Sequence, residues 1–227
     1  MRFRDRGQAG RELAERLLAL PAGQEVTDPL VLALPRGGVP VAAPVASALR
    51  AVLDVLVVRK IGLPGRPESG IGAIIGDDPP LFDRTALEML GVEEERLGPE
   101  VARERAELHR REKLYRGGRP GPRVAGRTVV LVDDGLATGL TARVALGHLR
   151  DRGPGRLVLA VPVGAPGSAD RLSADADDVV CLYEPPGFRA VGEWYDDFDQ
   201  VTDDEVLAVL RDLGPPSALA PRPQTRT

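Results

Sequence analysis

The stretch Val129-Val130-Leu131-Val132-Asp133-Asp134-Gly135-Leu136-Ala137-Thr138-Gly139-Leu140-Thr141, VVLVDDGLATGLT, runs a block of aliphatic side chains straight into two adjacent carboxylates, then into glycines and threonines. An uninterrupted aliphatic block of this length reads as a strand buried on both faces, the kind found in parallel sheets. In an open parallel sheet ligands bind beyond the carboxyl ends of the strands, where Asp133 and Asp134 fall. Gly135 and Gly139 allow close backbone approach, and a helix entering near Thr141 presents unsatisfied N–H groups and its positive dipole end to an anion. With the hydroxyls of Thr138 and Thr141, the turn Ala137-Thr138-Gly139-Leu140-Thr141 can cradle one phosphate. Carboxylates cannot hold that phosphate, but they accept hydrogen bonds from vicinal hydroxyls or help hold Mg²⁺. A ribose 5-phosphate satisfies both halves.

Outward from this segment, short aliphatic runs alternate with alanine-rich helical runs. They are VLAL at 31–34, a helix from Val39 to Ala51, LDVLVV at 53–58, TVVLV at 128–132, a helix from Ala142 to Arg152, LVLAVPV at 157–163 and DVVCLY at 178–183. Hydrophobic strands each followed by a helix predict an α/β fold, an open, mostly parallel twisted sheet flanked by helices. A first helix is expected over Gln8 to Leu20, stopped by Pro21 and Gly23, and a last one over Asp203 to Leu213.

Two segments break the rhythm. Residues 61–127 open with IGLPGRPESGIGAIIGDDPP before helical stretches near 85–90 and 99–115. That is too long for a plain crossover and predicts an ordered insertion whose first part is mobile. The tail 214–227, GPPSALAPRPQTRT, is proline-rich without apolar periodicity and is expected to be disordered. The organisation predicted is one domain over 1–213 with a small hood near 184–200.

The 227 residues, 43% of them hydrophobic, can bury a full core, and no 20-to-50-residue repeat suggests a solenoid. A net charge of -4 argues against broad electrostatic binding to nucleic acid or anionic membrane. Cys181 is the only cysteine, which excludes an intrachain disulfide and a multi-cysteine zinc site and fits a reducing cytoplasm. The start MRFRDRGQAGRELAERLL lacks the apolar core of a signal peptide, and no apolar run reaches the roughly 18 residues of a membrane span. The expected location is cytoplasmic.

With its acid pair, small spacer and T-G-x-T entry to a helix, VVLVDDGLATGLT resembles the signature of the type I phosphoribosyltransferases, which bind 5-phosphoribosyl 1-pyrophosphate. An acidic pocket like that of a response regulator, or a simple D-G turn, would leave the T-G-x-T entry unexplained. The resemblance implies that Asp133 and Asp134 hold the ribose hydroxyls and, with them, Mg²⁺. It places the 5-phosphate on Ala137, Thr138, Gly139, Leu140 and Thr141, with Gly135 among the substrate-binding residues. Two more segments match in the family's order. Ala33-Leu34-Pro35-Arg36-Gly37-Gly38-Val39-Pro40 stands where the pyrophosphate loop would be, with Arg36, Gly37 and Gly38 as its binding residues and a non-proline cis peptide expected beside Arg36. Val57-Val58-Arg59-Lys60, expected to end the second strand, resembles the R-K sequence of the orotate and adenine members, followed by a mobile glycine-rich lid over 61–78.

That family displaces pyrophosphate at the anomeric carbon with inversion, through a transition state resembling an oxocarbenium ion. The resemblance assigns charge stabilisation to Arg36, Arg59 and Lys60. Ala137 stands where the 6-oxopurine members carry an aspartate, so hypoxanthine and guanine are disfavoured and an adenine-, orotate- or uracil-like acceptor stays open. Five of the eight aromatics fall in 183–198, and Phe188, Trp194 and Tyr195 are read as rings of an acceptor hood. The insertion and the FRDR start are similar to bacterial members whose acceptor is unassigned, and dimers are common in the family. One alternative is a non-catalytic regulator that senses phosphoribosyl pyrophosphate and acts on RNA, DNA or a protein partner. It is suggested by residues 103–127, which hold nine of the thirty Lys and Arg, although i,i+4 pairing with Glu104, Glu107 and Glu112 accounts for much of that run. His109 and His148 read as ordinary helix residues.

Overall fold

The aliphatic block before the acid pair is the middle strand of a five-stranded sheet, β6 (Thr128–Val132), in a computed structural model that describes residues 2–21, 26–66 and 69–215. Its companions are β1 (Pro29–Ala33), β2 (Val52–Val55), β7 (Arg156–Val163) and β8 (Asp178–Tyr183), in the order β2-β1-β6-β7-β8 with every pair parallel. Alternate residues of β6 face opposite cores. Val130 and Val132 pack with Leu13, Leu17, Val45 and Leu210, whereas Val129 and Leu131 pack with Ala145, Leu146 and Leu149. Both sets are fully buried, which is why the strand has no polar alternation. Each such side chain contributes about 1.5–3 kcal/mol on burial.

Helices α1 (Arg6–Leu18), α2 (Gly38–Leu49) and α7 (Asp203–Leu213) contribute to the first core, and α5 (Leu140–Arg150) and α6 (Ser168–Leu172) to the second. The first helix starts earlier than its apolar period suggests because Asp5 caps it, accepting from the Gln8 N–H at 2.6 Å. A Cβ on Gly10 would lie 2.2 Å from the Val41 carbonyl oxygen, so α1 and α2 cross with backbones nearly touching. The five-residue α6 is too short to leave a periodic trace in sequence.

The run 53–58 is not one strand. After β2 the chain leaves the main sheet and forms β3 (Val58–Ile61), which pairs antiparallel with β4 (Gly72–Ile75) and through it with β5 (Leu81–Phe82). Hydrophobicity does not mark the break, because the connecting Leu56 and Val57 are themselves buried. Arg59 and Lys60 therefore lie inside a strand of a second sheet. The segment expected as a lid, 61–78, contains the fully buried strand Gly72–Ile75; in the connection before it 64–66 and Ser69 are exposed, Gly62 and Ile71 are buried, and 67–68 lie outside the described residues.

The insertion continues through α3 (Arg84–Leu90) into α4 (Gly98–Arg116), which ends on the left-handed Gly117. After β8, residues 194–197 are stitched to the start of the chain. The Phe3 N–H donates to the Trp194 carbonyl at 2.8 Å, and the N–H groups of Asp196 and Asp197 donate to the carbonyls of Phe3 and Arg4 at 2.8 and 2.9 Å. A capping box of Thr202 and Glu205 opens α7. The expected disordered tail lies, from residue 216, outside the described residues. No helix among the described residues is long and apolar enough to cross a membrane.

Candidate active site

The sheet order reverses between β1 and β6, so the turns leaving those two strands open a crevice at their carboxyl ends. Ala33 is in register with Val132, and the Leu34 N–H extends the pairing to the Val132 carbonyl at 2.9 Å. Pro35-Arg36-Gly37-Gly38 and Asp133-Asp134 consequently leave the sheet side by side. The Pro35–Arg36 peptide is cis, as the sequence reading expected. A Cβ on Gly37 would sit 2.0 Å from Asp134 Oδ2, and one on Gly38 would sit 2.7 Å from the Val132 carbonyl. Only glycines let the two turns meet this closely.

Asp133 and Asp134 are partly exposed at the floor of this crevice. Asp133 Oδ1 accepts from the Asp134 N–H at 2.9 Å, and the Tyr195 hydroxyl donates to the Asp134 carbonyl at 2.7 Å. Arg6 Nε donates to Asp134 Oδ2 at 3.0 Å. Both carboxyls are raised above the ordinary carboxylate range. Burial is the first cause for each; the charge of Asp134 adds to it at Asp133, while Arg6 opposes it at Asp134.

Beyond the acids, Gly139 at φ 79° turns the chain into α5. Among the described residues, the only recorded bond from the N–H groups of 137–142 is Leu140 to Thr138 Oγ1, at 3.4 Å. The remaining donors, at the positive end of α5, face a cavity of about 140 Å³ lined by Lys60, Asp133, Gly135, Ala137, Thr138 and Thr141. Val191 closes over Gly135, with its methyls 2.6 and 2.8 Å from where a Cβ would be.

On the other side of the acids a cleft of about 440 Å³ is bounded by Pro35, Gly37, Arg59, Lys60, Glu104 and Arg111, and it shares Gly37, Arg59, Arg111 and Asp134 with a neighbouring cavity of about 520 Å³ that also meets Arg6, Arg36 and Phe198. Arg59 donates to Glu104 Oε2 through Nε at 3.0 Å and Nη2 at 2.6 Å. Arg36 Nη1 lies 3.7 Å from Asp203. The structure therefore brings Arg36, Gly37, Arg59, Lys60, Asp133, Asp134 and the 137–141 turn to one crevice, with Gly38 packed beneath it.

The three rings read as an acceptor hood are placed in an aromatic lobe. Phe188, Trp194 and Tyr195 pack with Phe3, Ala9 and Val163 in a small lobe that covers the start of the chain. Tyr195 is buried, its ring 5.5 Å from Phe3 and 5.0 Å from Phe198, and it meets the site through its hydroxyl and through the Arg6 guanidinium, 5.9 Å from its ring centroid. A cluster of large rings has more apolar area to bury than a narrow cleft can cover, so the rings bury one another. The ring on the cavity wall is Phe198, with the Arg6 guanidinium 3.8 Å from its centroid.

Sequence reasoning missed Arg6, Glu104 and Arg111, and it counted Phe198 among the five aromatics of 183–198 without singling it out. Arg6 meets Asp134 across 128 residues, which no local spacing can signal. Glu104 and Arg111 sit in a run that reads as a solvated charged helix. The two histidines also meet carboxylates: His148 Nδ1 lies 2.5 Å from Asp78 and His109 Nε2 lies 3.1 Å from Asp77. No group of three or more His, Cys, Asp or Glu suited to a metal ion occurs among the described residues. The half-buried Cys181 thiol is pushed up to about 12, mainly by burial and then by Glu184, so it is held protonated.

A parallel sheet whose switch point carries an acid pair, an amide-lined turn and a glycine loop has the layout of an α/β protein that takes a ligand at the carboxyl ends of its strands. The Phosphoribosyl transferase domain family matches residues 4–196, and the chain belongs to that family. It is 45% identical, over 208 residues and 92% of its length, to a Mycobacterium tuberculosis H37Rv protein provisionally named a phosphoribosyl transferase; the match covers 46% of that protein, so the chain spans about half the length of the curated relatives it matches. The crystal structure of TT1426 from Thermus thermophilus is also 45% identical and superposes with a TM-score of 0.77, covering 95% of this chain and 100% of that one.

Proposed function

We propose that the chain transfers the phosphoribosyl group of 5-phosphoribosyl 1-pyrophosphate to a nitrogenous acceptor and releases pyrophosphate. The observation that carries this reading is the shared crevice: an acid pair lies between the amide-lined cavity at the start of α5 and the Arg36-Gly37 loop. The 5-phosphate fits the free N–H groups of 137–142 and the Thr138 and Thr141 hydroxyls. The ribose hydroxyls fit the acceptor-only carboxylates of Asp133 and Asp134. The C1–O bond breaks with its electron pair leaving on pyrophosphate, a C1–N bond forms, and the acceptor nitrogen gives up its proton. Arg36, Arg59 and Lys60 stabilise the charge that departs.

The donor set suits Mg²⁺. Asp133 and Asp134 are hard oxygen ligands, and a pair of carboxylates completed by substrate oxygens is how that ion is usually held. When bound it would neutralise pyrophosphate and orient ribose oxygens. Ala137 has no acid or base to offer a purine ring nitrogen, which disfavours hypoxanthine and guanine. The regulator reading loses its motive, because the arginines of 103–127 are largely engaged: Arg110 and Arg111 with Glu107, Arg116 with Glu112, and Arg105 with the carbonyls of Gly76 and Asp78.

A panel of bases and other nitrogenous acceptors, scored by pyrophosphate release with an Asp134→Asn control, tests the proposal. We expect release with at least one acceptor and a loss of about 10- to 100-fold in the variant, as for one charge-assisted hydrogen bond. Release with no acceptor, or full activity in the variant, would contradict it; hypoxanthine turnover equal to the best acceptor would overturn the preference against 6-oxopurines.

A further inference from the structure

We propose that Arg111, on α4, completes a pocket of three guanidiniums with Arg36 and Arg59 that receives the departing pyrophosphate, and that Glu107 and Glu104 are the positioning residues that aim Arg111 and Arg59. The proposal rests on the transferase reading and adds to it a group from the insertion.

Arg111 lines both the 440 Å³ cleft and the adjoining 520 Å³ cavity, with 17% of its side chain exposed. Glu104, Glu107 and Arg111 lie at i, i+3 and i+7 of α4 and so share one face of the helix. Arg111 Nε donates to Glu107 Oε1 at 2.7 Å, and among the described residues neither of its Nη atoms has a recorded hydrogen bond. Arg59 is held by Glu104 in the same way, through Nε and Nη2, which leaves Nη1 without a recorded partner. Among the described residues, the recorded contact of the Arg36 guanidinium is the 3.7 Å ion pair with Asp203.

A guanidinium pinned at Nε presents its outer N–H groups as a planar fork, the geometry that suits phosphate oxygens. Pro35 and Gly37 line the same cleft, so the forks face the loop assigned to pyrophosphate. The charge they receive is the electron pair of the broken C1–O bond. Donors fixed beforehand by α4 stabilise that charge without reorganising as it forms. This gives a role to the acids that a helix outside the main sheet carries on successive turns, Glu104 in the cleft wall and Glu107 behind Arg111: each orients a cation that keeps donors for a ligand.

Calorimetric titration of the full chain with inorganic pyrophosphate in Mg²⁺ buffer tests the assignment. Arg111→Ala should weaken binding about 10- to 100-fold, the usual worth of a charged hydrogen-bonding group. Arg111→Lys, which keeps the charge and loses the fork, should fall between it and the unaltered chain and serves where the alanine variant does not fold. Arg110→Ala removes a more exposed cation that is also paired to Glu107, and should change affinity by less than about twofold. An unaffected Arg111→Ala, or an equal loss in Arg110→Ala, would overturn the assignment alone. An unaltered chain that binds neither pyrophosphate nor the phosphoribosyl donor would overturn the transferase reading and this assignment with it.

Discussion

At the scale of single residues the site depends on contacts with no slack. Asp134 is approached by the Gly37 backbone, by Arg6 at 3.0 Å and, at its carbonyl, by Tyr195 at 2.7 Å. Arg6 is itself fixed by the Phe198 ring and by the Asp199 carbonyl at 2.9 Å, so the carboxylate is oriented before any ligand arrives. Gly37→Ala should displace Asp134, because the added methyl would fall 2.0 Å from its Oδ2. A shift of that kind costs on the order of 100-fold in turnover, and the prediction is checked by comparing pyrophosphate release with the thermal unfolding midpoint. Near-normal activity would mean that the two turns move independently. The acid pair and the amide-lined turn after it were legible in sequence because they are local: carboxylates, glycines and threonines within a few residues of a strand end. Arg6 was not, because its partner lies 128 residues away.

At the scale of elements, α4 behaves as a wall of the site. Glu107 is held at about 2, first by its hydrogen bond with Arg110 and then by Arg111, well below its ordinary value of 4.5. A carboxylate depressed in the folded state adds stability that is fully present above its unfolded pKa and is lost as pH falls from about 4.5 toward 2. Partial exposure and salt limit the contribution to under about 1 kcal/mol. Glu107→Gln should therefore flatten the acid side of the stability curve within that window and leave neutral stability lower by the same small amount. Denaturant unfolding at stepped pH reads this directly, and an unchanged acid limb would show the pair to be inert. Element types were largely readable, since β1, β6 and β7 are buried on both faces and helices follow them. The β2–β3 break was not: Leu56 and Val57 stay buried as the chain changes sheets, so burial continues where pairing stops.

At the scale of the whole molecule, the start of the chain, the insertion and the segment after β8 converge on one switch point. α1 brings Arg6, the strand β3 and α4 bring Arg59, Lys60 and Arg111, and the aromatic lobe ties Phe3 to Tyr195 beside Asp134. The sequence placed the aromatics near the site but could not show which way they face, because five rings in one window serve equally as a hood or as a packed lobe. Tyr195 is buried in the lobe, Phe188 and Trp194 pack against it partly exposed, and Phe198 lines the cavity. The central claim is that one sugar phosphate spans the acid pair and the α5 turn. A crystal structure of the chain with Mg²⁺ and 5-phosphoribosyl 1-pyrophosphate tests it most directly. The account predicts the 5-phosphate on the N–H groups of 137–142 with the ribose hydroxyls at Asp133 and Asp134. A donor bound elsewhere, or bound with its phosphate away from that turn, would contradict it.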